Sequence, residues 1–281
     1  MLSYRHAFHA GNHADVLKHF VQMQLLQYLA QKDKPYWVID THAGAGCYEL
    51  TSGYAAKNAE YESGIARLWA VADLPAALAD YVALVKGLNT DGALKLYPGS
   101  PLVTQALLRE QDRLRLFELH PTDFELLTQN FAERDKQVIV QNTDGFAALK
   151  ALLPPPPRRA LVLMDPPYEE KQDYKRVVDA LQEGLKRFAT GTYAVWYPCL
   201  QREESARLPD KLKRLPVKSW LQVELHVQAP AADGFGMHGS GMFVLNPPWT
   251  LHATLQEVMP RLVALLGQDA SAGFVLEQQA A

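Results

Sequence analysis

The sequence predicts an α/β fold in which helices cover the faces of a mostly parallel sheet and one helical insertion interrupts the pattern. Three observations carry that expectation. Apolar runs recur that stop on a carboxylate, as in Tyr36–Asp40, Leu114–Glu118 and Ala160–Asp165. The first of them opens into a turn of small residues, Thr41-His42-Ala43-Gly44-Ala45-Gly46. From about Glu49 to Tyr97 no strand pattern is evident, while apolar residues recur at helical spacing. Open sheets of this kind bind ligands outside the carboxyl ends of their strands, so the carboxylate that ends Ala160–Asp165 is a candidate site position.

A chain of 281 residues, 48% hydrophobic and 21% charged, is long enough for one large domain with an insertion, or for two domains. No apolar run approaches the roughly 18 residues of a membrane span. Met1-Leu2-Ser3-Tyr4-Arg5-His6 lacks the apolar core of a signal peptide, so a cytoplasmic protein without membrane association is expected. Cys47 and Cys199 lie far apart and outside any Cys-x-x-Cys pattern, which argues against disulfides and zinc frameworks. With a net charge of −3, a nucleic-acid partner would have to be held by local basic patches rather than by a global field.

Taken in order, Asn12 and Asp15 form a capping-box-like start to an amphipathic helix in which Leu17, Val21, Leu25 and Leu29 repeat at helical spacing. Around its start, Tyr4, Arg5, His6, His9, His13, Lys18 and His19 crowd together. A zinc site from His6, His9 and His13 lacks a cysteine or acidic ligand to complete it, so no metal is expected. A solvated, mildly basic face is the favoured reading of these residues, and a wall of a cofactor or substrate site is the sharper alternative. After the strand Tyr36–Asp40, the glycine turn lets the backbone approach a ligand closely. It is not a dinucleotide fingerprint, because Glu49 stands where the third small residue belongs. The insertion, residues 49–97, shows one helical face in Tyr61, Ile65, Leu68 and Trp69 and another in Leu78, Tyr81, Val82 and Val85. Residues 1–48 and 98–281 form the main domain.

Beyond the insertion, Ser100-Pro101 starts a helix with proline in its first turn. Glu118 ends the strand Leu114–Phe117, the position from which a carboxylate commonly grips ribose hydroxyls. Asp144 follows the strand Val138–Gln141, either as the N-cap of the next helix or as a site residue. Pro154 to Pro157 end that helix, and the strand Ala160–Met164 follows. Tyr174, Val177, Val178, Leu181 and Leu185 mark a long amphipathic helix, and Thr192–Tyr197 a further strand. The densest basic run is Lys211-Leu212-Lys213-Arg214 with Lys218, suited to phosphate contact if the substrate is polynucleotide. Strands at Trp220–Gln228 and Met242–Asn246 flank a glycine-rich loop and read as a hairpin closing the sheet. A helix over Leu255–Leu266 comes next, and the last ten residues are expected to fray.

The chemistry concentrates in Asp165-Pro166-Pro167-Tyr168. Proline fixes its own φ and pushes the preceding residue into extended backbone, so Asp165 and Pro166 are held out of any helix. The Asp165 side chain and the Pro166 carbonyl could then accept both hydrogens of a planar exocyclic amine, with Tyr168 offering a face on which the base stacks. A rival, Asn246-Pro247-Pro248-Trp249, also follows an apolar strand. Its place in the terminal hairpin counts against it.

Together these stretches resemble the class I methyltransferases that use S-adenosylmethionine, in the order of the amino-methylating branch. More narrowly, Ser3-Tyr4-Arg5-His6, Gly11 to His19, Asp40 to Gly46, Tyr97 to Pro101 and Leu163 to Tyr168 look like the ribosomal large-subunit RNA methyltransferase J family. The resemblance spans nearly the whole chain. His42 departs from the glycine of generic class I loops but agrees with this narrower family. The resemblance implies a Rossmann-like, seven-stranded, mostly parallel sheet with a reversed C-terminal hairpin strand. It implies N6-methylation of one adenine of 23S ribosomal RNA, with no obligate protein partner and a monomeric enzyme. It places His19, His42, Gly44, Ser100, Glu118, Asp144, Gly145 and Asp165 at the methyl donor, with Lys18 a weaker candidate for its carboxylate. Glu118 would hold the ribose, while Asp144 and Gly145 would face the adenine. Tyr4 and Tyr168 would meet the target base, and Asp165, Pro166 and Tyr168 would carry the reaction. The alternatives are a DNA adenine or protein glutamine methyltransferase and, from another class, a non-enzymatic RNA-binding module on the same fold.

Overall fold

Asn12 caps the first helix, α1 (His13–Ala30), by accepting the N–H groups of Ala14 and Asp15 on its side-chain oxygen. The Asp15 carboxylate does not close a capping box onto Asn12; it accepts the Gly11 N–H instead. A computed structural model describes residues 6–51, 58–132 and 136–280; Tyr4 lies outside the described residues. The expected solvated face of α1 is absent. Asp15, Lys18, His19 and Gln22 are buried along with Leu17, Phe20 and Val21, because other elements enclose the helix on nearly every side.

The strands are β1 (Trp37–Asp40), β2 (Cys47–Glu49), β3 (Leu96–Pro98), β4 (Arg113–Phe117), β5 (Val138–Gln141), β6 (Ala160–Met164), β7 (Thr192–Cys199), β8 (Trp220–His226), β9 (Gly239–Leu245) and β10 (Gly273–Gln279). Eight of them form one sheet in the order β10-β8-β9-β7-β6-β1-β4-β5. The five strands from β5 to β7 run parallel, and β9 enters antiparallel between β7 and β8. All five side chains of β6 are buried, as a central parallel strand covered on both faces requires. A fully buried aliphatic side chain stabilises by about 1.5–3 kcal/mol, so β6 is fixed by burial on both sides.

The sheet has one strand more than the seven expected. Gly273–Gln279, in the stretch expected to fray, pairs antiparallel with β8, and the Trp220 indole N–H donates to Gln279. The alternation that would have marked it is masked because this edge strand is half exposed on both faces. A second correction falls at the root of the insertion: β2 and β3 form a two-stranded antiparallel ribbon there.

The remaining helices are α2 (Ala66–Trp69), α3 (Ala76–Gly87), α4 (Ser100–Leu107), α5 (Pro121–Asn130), α6 (Gly145–Leu152), α7 (Lys171–Arg187), α8 (Glu203–Lys213) and α9 (Leu251–Leu266), among the described residues. On one face of the sheet α1, α3, α4 and α9 share a core with Ile65 and Leu68; on the other, α6, α7 and α8 pack around Tyr174, Leu181 and Leu208. After β1 the chain moves to β4 and β5 on one side and returns to β6 on the other. This reversal puts a topological switch point at the carboxyl end of β1, where a doubly wound sheet opens a crevice.

Candidate active site

Four strand ends deliver acidic side chains to that crevice: Asp40 from β1, Glu118 from β4, Asp144 after β5 and Asp165 from β6. Asp40 is fully buried beneath the surface, and burial pushes its carboxyl up to about 6 against the pull of its hydrogen bonds. Its oxygens accept the Ser100 hydroxyl at 2.6 Å and the His42 N–H at 3.2 Å, so it positions two residues of the site without lining it. Ser100 is therefore not the N-cap of α4; Gly99 takes that place and frees the hydroxyl.

A cavity of about 340 Å3 lies over these strand ends. His19, His42, Gly44 and Ser100 line it, as do Glu118, Asp144, Gly145, Asp165 and Lys18. Gly44 adopts φ 61°, and a Cβ there would lie 2.3 Å from the Tyr48 hydroxyl, so the turn admits no larger residue. Its N–H donates to Glu118 at 2.8 Å, and the His120 N–H donates to the other oxygen at 2.7 Å. Burial raises the Glu118 carboxyl from its ordinary range, and these two donors partly offset that. Asp144 fills both roles open to it: one oxygen caps α6 at Phe146 and Ala147, while the other meets Arg176 at 2.7 Å.

Two histidines in the cavity wall are held neutral. Burial pulls His19 down to about 3 and His42 to about 4. His19 bonds Tyr97 through Nδ1, and its buried Nε2, 4.0 Å from Asp15, has no hydrogen-bond partner among the described residues. A buried orphan nitrogen beside a polar cavity is the mark of a ligand contact. His13, the first residue of α1, is likewise lowered to about 4 by burial. The unfolded chain therefore binds more protons than the folded one from about pH 6.5 down to these values, and stability falls as pH falls through that window. Asp40, raised by burial to about 6, acts in the opposite sense, as do Glu118 and Asp173, raised by burial, and His9, raised by its bond to Glu60, so the histidines' share is read from a variant that removes one of them. Thermal melts between pH 7 and pH 4.5 should show this decline, and His19→Gln should flatten it by about 1 kcal/mol per pH unit.

A second chamber of about 190 Å3 adjoins the first and shares His6, Lys18, Asp165 and Pro167 with it. Tyr168, Trp196, Pro198, Leu200 and Met237 form its apolar side. At the common wall the Lys18 ammonium lies 2.6 Å from Asp165 and 2.8 Å from Asp15. Burial works against that charge, but the two carboxylates outweigh it and hold the lysine above its ordinary range. Asp15 also meets His6 at 2.9 Å; burial works against its charge, but His6 and Lys18 outweigh it and hold its carboxyl well below the ordinary range. Tyr168 adopts φ 52°, and its ring packs against Tyr174 and Trp196 with only 2% of its surface exposed. Its hydroxyl donates to the Trp196 carbonyl. Pro167 lines both chambers, whereas Pro166 lines neither.

Sequence reasoning missed Asp15, Asp40, Trp196 and Met237. Asp40 had the same signal as Glu118, an apolar strand ending on a carboxylate; Trp196 and Met237 had none. The rival Asn246 lies one residue beyond β9, beside Thr192 at the start of β7, hence at the opposite edge of the sheet. Its amide donates to the Ala189 and Gly191 carbonyls. The basic run at the end of α8 leads into β8 at that same far edge, with Lys213 paired to Glu277. His6 and His9 bond Asp15 and Glu60 rather than grouping with His13. Among the described residues the grouping close enough to hold a metal is Cys199, Glu224 and His226, where both Glu224 oxygens already accept hydrogen bonds. No described helix is long and apolar enough to cross a membrane.

Parallel strands in the order β5-β4-β1-β6-β7, an antiparallel hairpin beyond them, and a glycine turn facing acidic strand ends define a Rossmann-like class I methyltransferase, an enzyme that takes its methyl group from S-adenosylmethionine. The cavity fits that donor through the buried Nε2 of His19, which has no hydrogen-bond partner among the described residues, and the Glu118 carboxylate in its wall. The family model of the ribosomal RNA large subunit methyltransferase D, RlmJ, matches residues 33–277, and the chain belongs to this family. It is 53% identical over 262 residues to the ribosomal RNA large subunit methyltransferase J of Escherichia coli (strain K12), covering 93% of each chain. It is 49% identical over 278 residues to the enzyme of that name from Haemophilus influenzae, covering 99% of this chain and 98% of the relative. A crystal structure of a protein from Legionella pneumophila superposes with a TM-score of 0.89 at 37% identity, covering 96% of this chain and 98% of that one.

Proposed function

We propose that this enzyme methylates the N6 amine of one specific adenine in 23S ribosomal RNA. The observation that carries the reading is the shared wall: Asp165 faces both chambers, so a donor in the larger one and a base in the smaller one would meet at its carboxylate. When bound, S-adenosylmethionine supplies a methyl group already activated by its sulfonium. Glu118 would hold its ribose and Asp144 with Gly145 its adenine. Gly44, His19, His42, Ser100 and Lys18 complete the wall.

The residues of the chain do the rest. An adenine turned out of its stack enters the smaller chamber against Trp196, Pro198 and the Tyr168 side. Lys18 holds Oδ2 of Asp165, which fixes the carboxylate plane and leaves Oδ1 to accept one amine hydrogen. The Pro166 carbonyl, which stands between the two lining residues Asp165 and Pro167 without itself lining a chamber, would accept the other as the base seats. As N6 takes the methyl group and the donor's S–C bond breaks in line behind it, positive charge grows on the nitrogen beside a carboxylate already oriented, a stabilisation larger in the transition state than in the ground state. The amine then loses one proton by way of Asp165 to solvent. Glu60 bonds His9 and Asn12, so the segment between β2 and β3 braces the acceptor wall from outside.

Labelled methyl transfer in a competition among 23S ribosomal RNA, duplex DNA and a release-factor protein tests the acceptor. Label should enter RNA alone and map to a single adenine N6. Label in DNA or on a protein glutamine would overturn the assignment.

A further inference from the structure

Resting on that acceptor assignment, we propose that Phe235 is a stacking platform for a nucleotide adjacent to the flipped adenine, so that the loop between β8 and β9 reads the RNA next to the target. Phe235 is 77% exposed, a costly place for a phenyl ring that nothing in the fold uses. It stands between Gly234 at φ 79° and Gly236 at φ 88°, and a Cβ built on either glycine would meet nothing within 4 Å, so the ring is presented with open space around its base.

The presentation is built by the turn. The Phe235 N–H donates to the Asp233 side chain at 3.0 Å, and the Gly234 N–H to the Ala231 carbonyl at 3.0 Å. Gln201 ties the same carbonyl to the segment after β7, while the Ala229 N–H donates to Asp269 at 2.9 Å. At the other end the His238 N–H donates to Cys199, fastening the loop to the carboxyl edge of the sheet. Two residues beyond Phe235, Met237 lines the acceptor chamber. Two residues of extended chain reach at most about 7 Å, so the backbone that carries the ring lies within about one nucleotide step of Met237 at the chamber wall. A flipped base leaves its neighbour with one face unstacked, and an exposed aromatic at that distance is the group that can cover it whatever the base.

The test uses the full-length enzyme and an RNA fragment containing the target adenosine, with 2-aminopurine replacing each flanking nucleotide in turn. The wild-type enzyme should quench the fluorophore at one flanking position. Phe235→Ala should abolish that quenching and raise KM for the RNA about ten-fold, with kcat within two-fold and the melting temperature unchanged. Phe235→Trp should restore both. Unchanged quenching and KM in Phe235→Ala would overturn the platform; failure of the wild-type enzyme to methylate RNA at all would instead overturn the acceptor assignment beneath it.

Discussion

Asp165→Ala should lower kcat by about a hundred- to a thousand-fold while the protein remains folded and still binds S-adenosylmethionine within about ten-fold of the wild-type affinity. The carboxylate is the acidic group shared by both chambers, and it would carry negative charge to the nitrogen on which positive charge grows. The fold does not depend on it. Its side chain is 14% exposed, and Lys18 keeps a second carboxylate, Asp15, at 2.8 Å. Single-turnover methyl transfer, calorimetric titration of the donor and a thermal melt would separate these effects. Near-normal turnover would remove Asp165 from the mechanism. A wild-type turnover number in Asn246→Ala, at the far edge of the sheet, would complete the comparison of the two Pro-Pro motifs.

Lys18→Met should be the most destabilising single change at the site. The methionine matches the lysine stem in bulk, so the cost arises from charge: the Asp15 and Asp165 carboxylates are left near one another with their shared cation gone. Removing one partner from a buried ionic cluster typically costs about 3–5 kcal/mol, which for a chain of this size lowers the melting temperature by on the order of 10 °C. The pH dependence identifies the cause. Asp15 is held well below its ordinary range in the folded protein, first against burial and then by His6 and Lys18. Its stabilising contribution is present above about pH 4 and is lost as pH falls towards its folded value. The deficit of Lys18→Met should accordingly be full at pH 7 and shrink below pH 4. A deficit that is the same at both pH values would mean that lost packing, not unpaired charge, is responsible.

How much of this was legible in the chain differs from element to element. The strands announced themselves because buried parallel strands read as apolar runs, and the site carboxylates followed because each stands where such a run stops. The glycine turn was legible for the same local reason: only a residue without a Cβ avoids the Tyr48 hydroxyl at Gly44. The first helix was misread. Its mixture of charged and apolar residues has the pattern of a surface helix, yet it is packed on nearly all sides. Periodicity reports how residues are arranged around one axis, and cannot say what surrounds that axis. The same limit hid β10, whose exposed edge gives no alternation.

The sequence by itself determined the class of chemistry: a rigid Asp-Pro-Pro-Tyr after a buried strand, a small-residue turn and acidic strand ends in a fixed order, all consequences of backbone sterics and local burial. Only the tertiary structure decided how the pieces cooperate. It brought Lys18 against Asp165 across 147 residues of chain, joined two chambers at that pair, and moved Asn246 to the opposite edge by running β9 antiparallel to β7. Those outcomes depend on strand order and direction, which are set by how whole elements bury one another, and no stretch of residues carries that information alone.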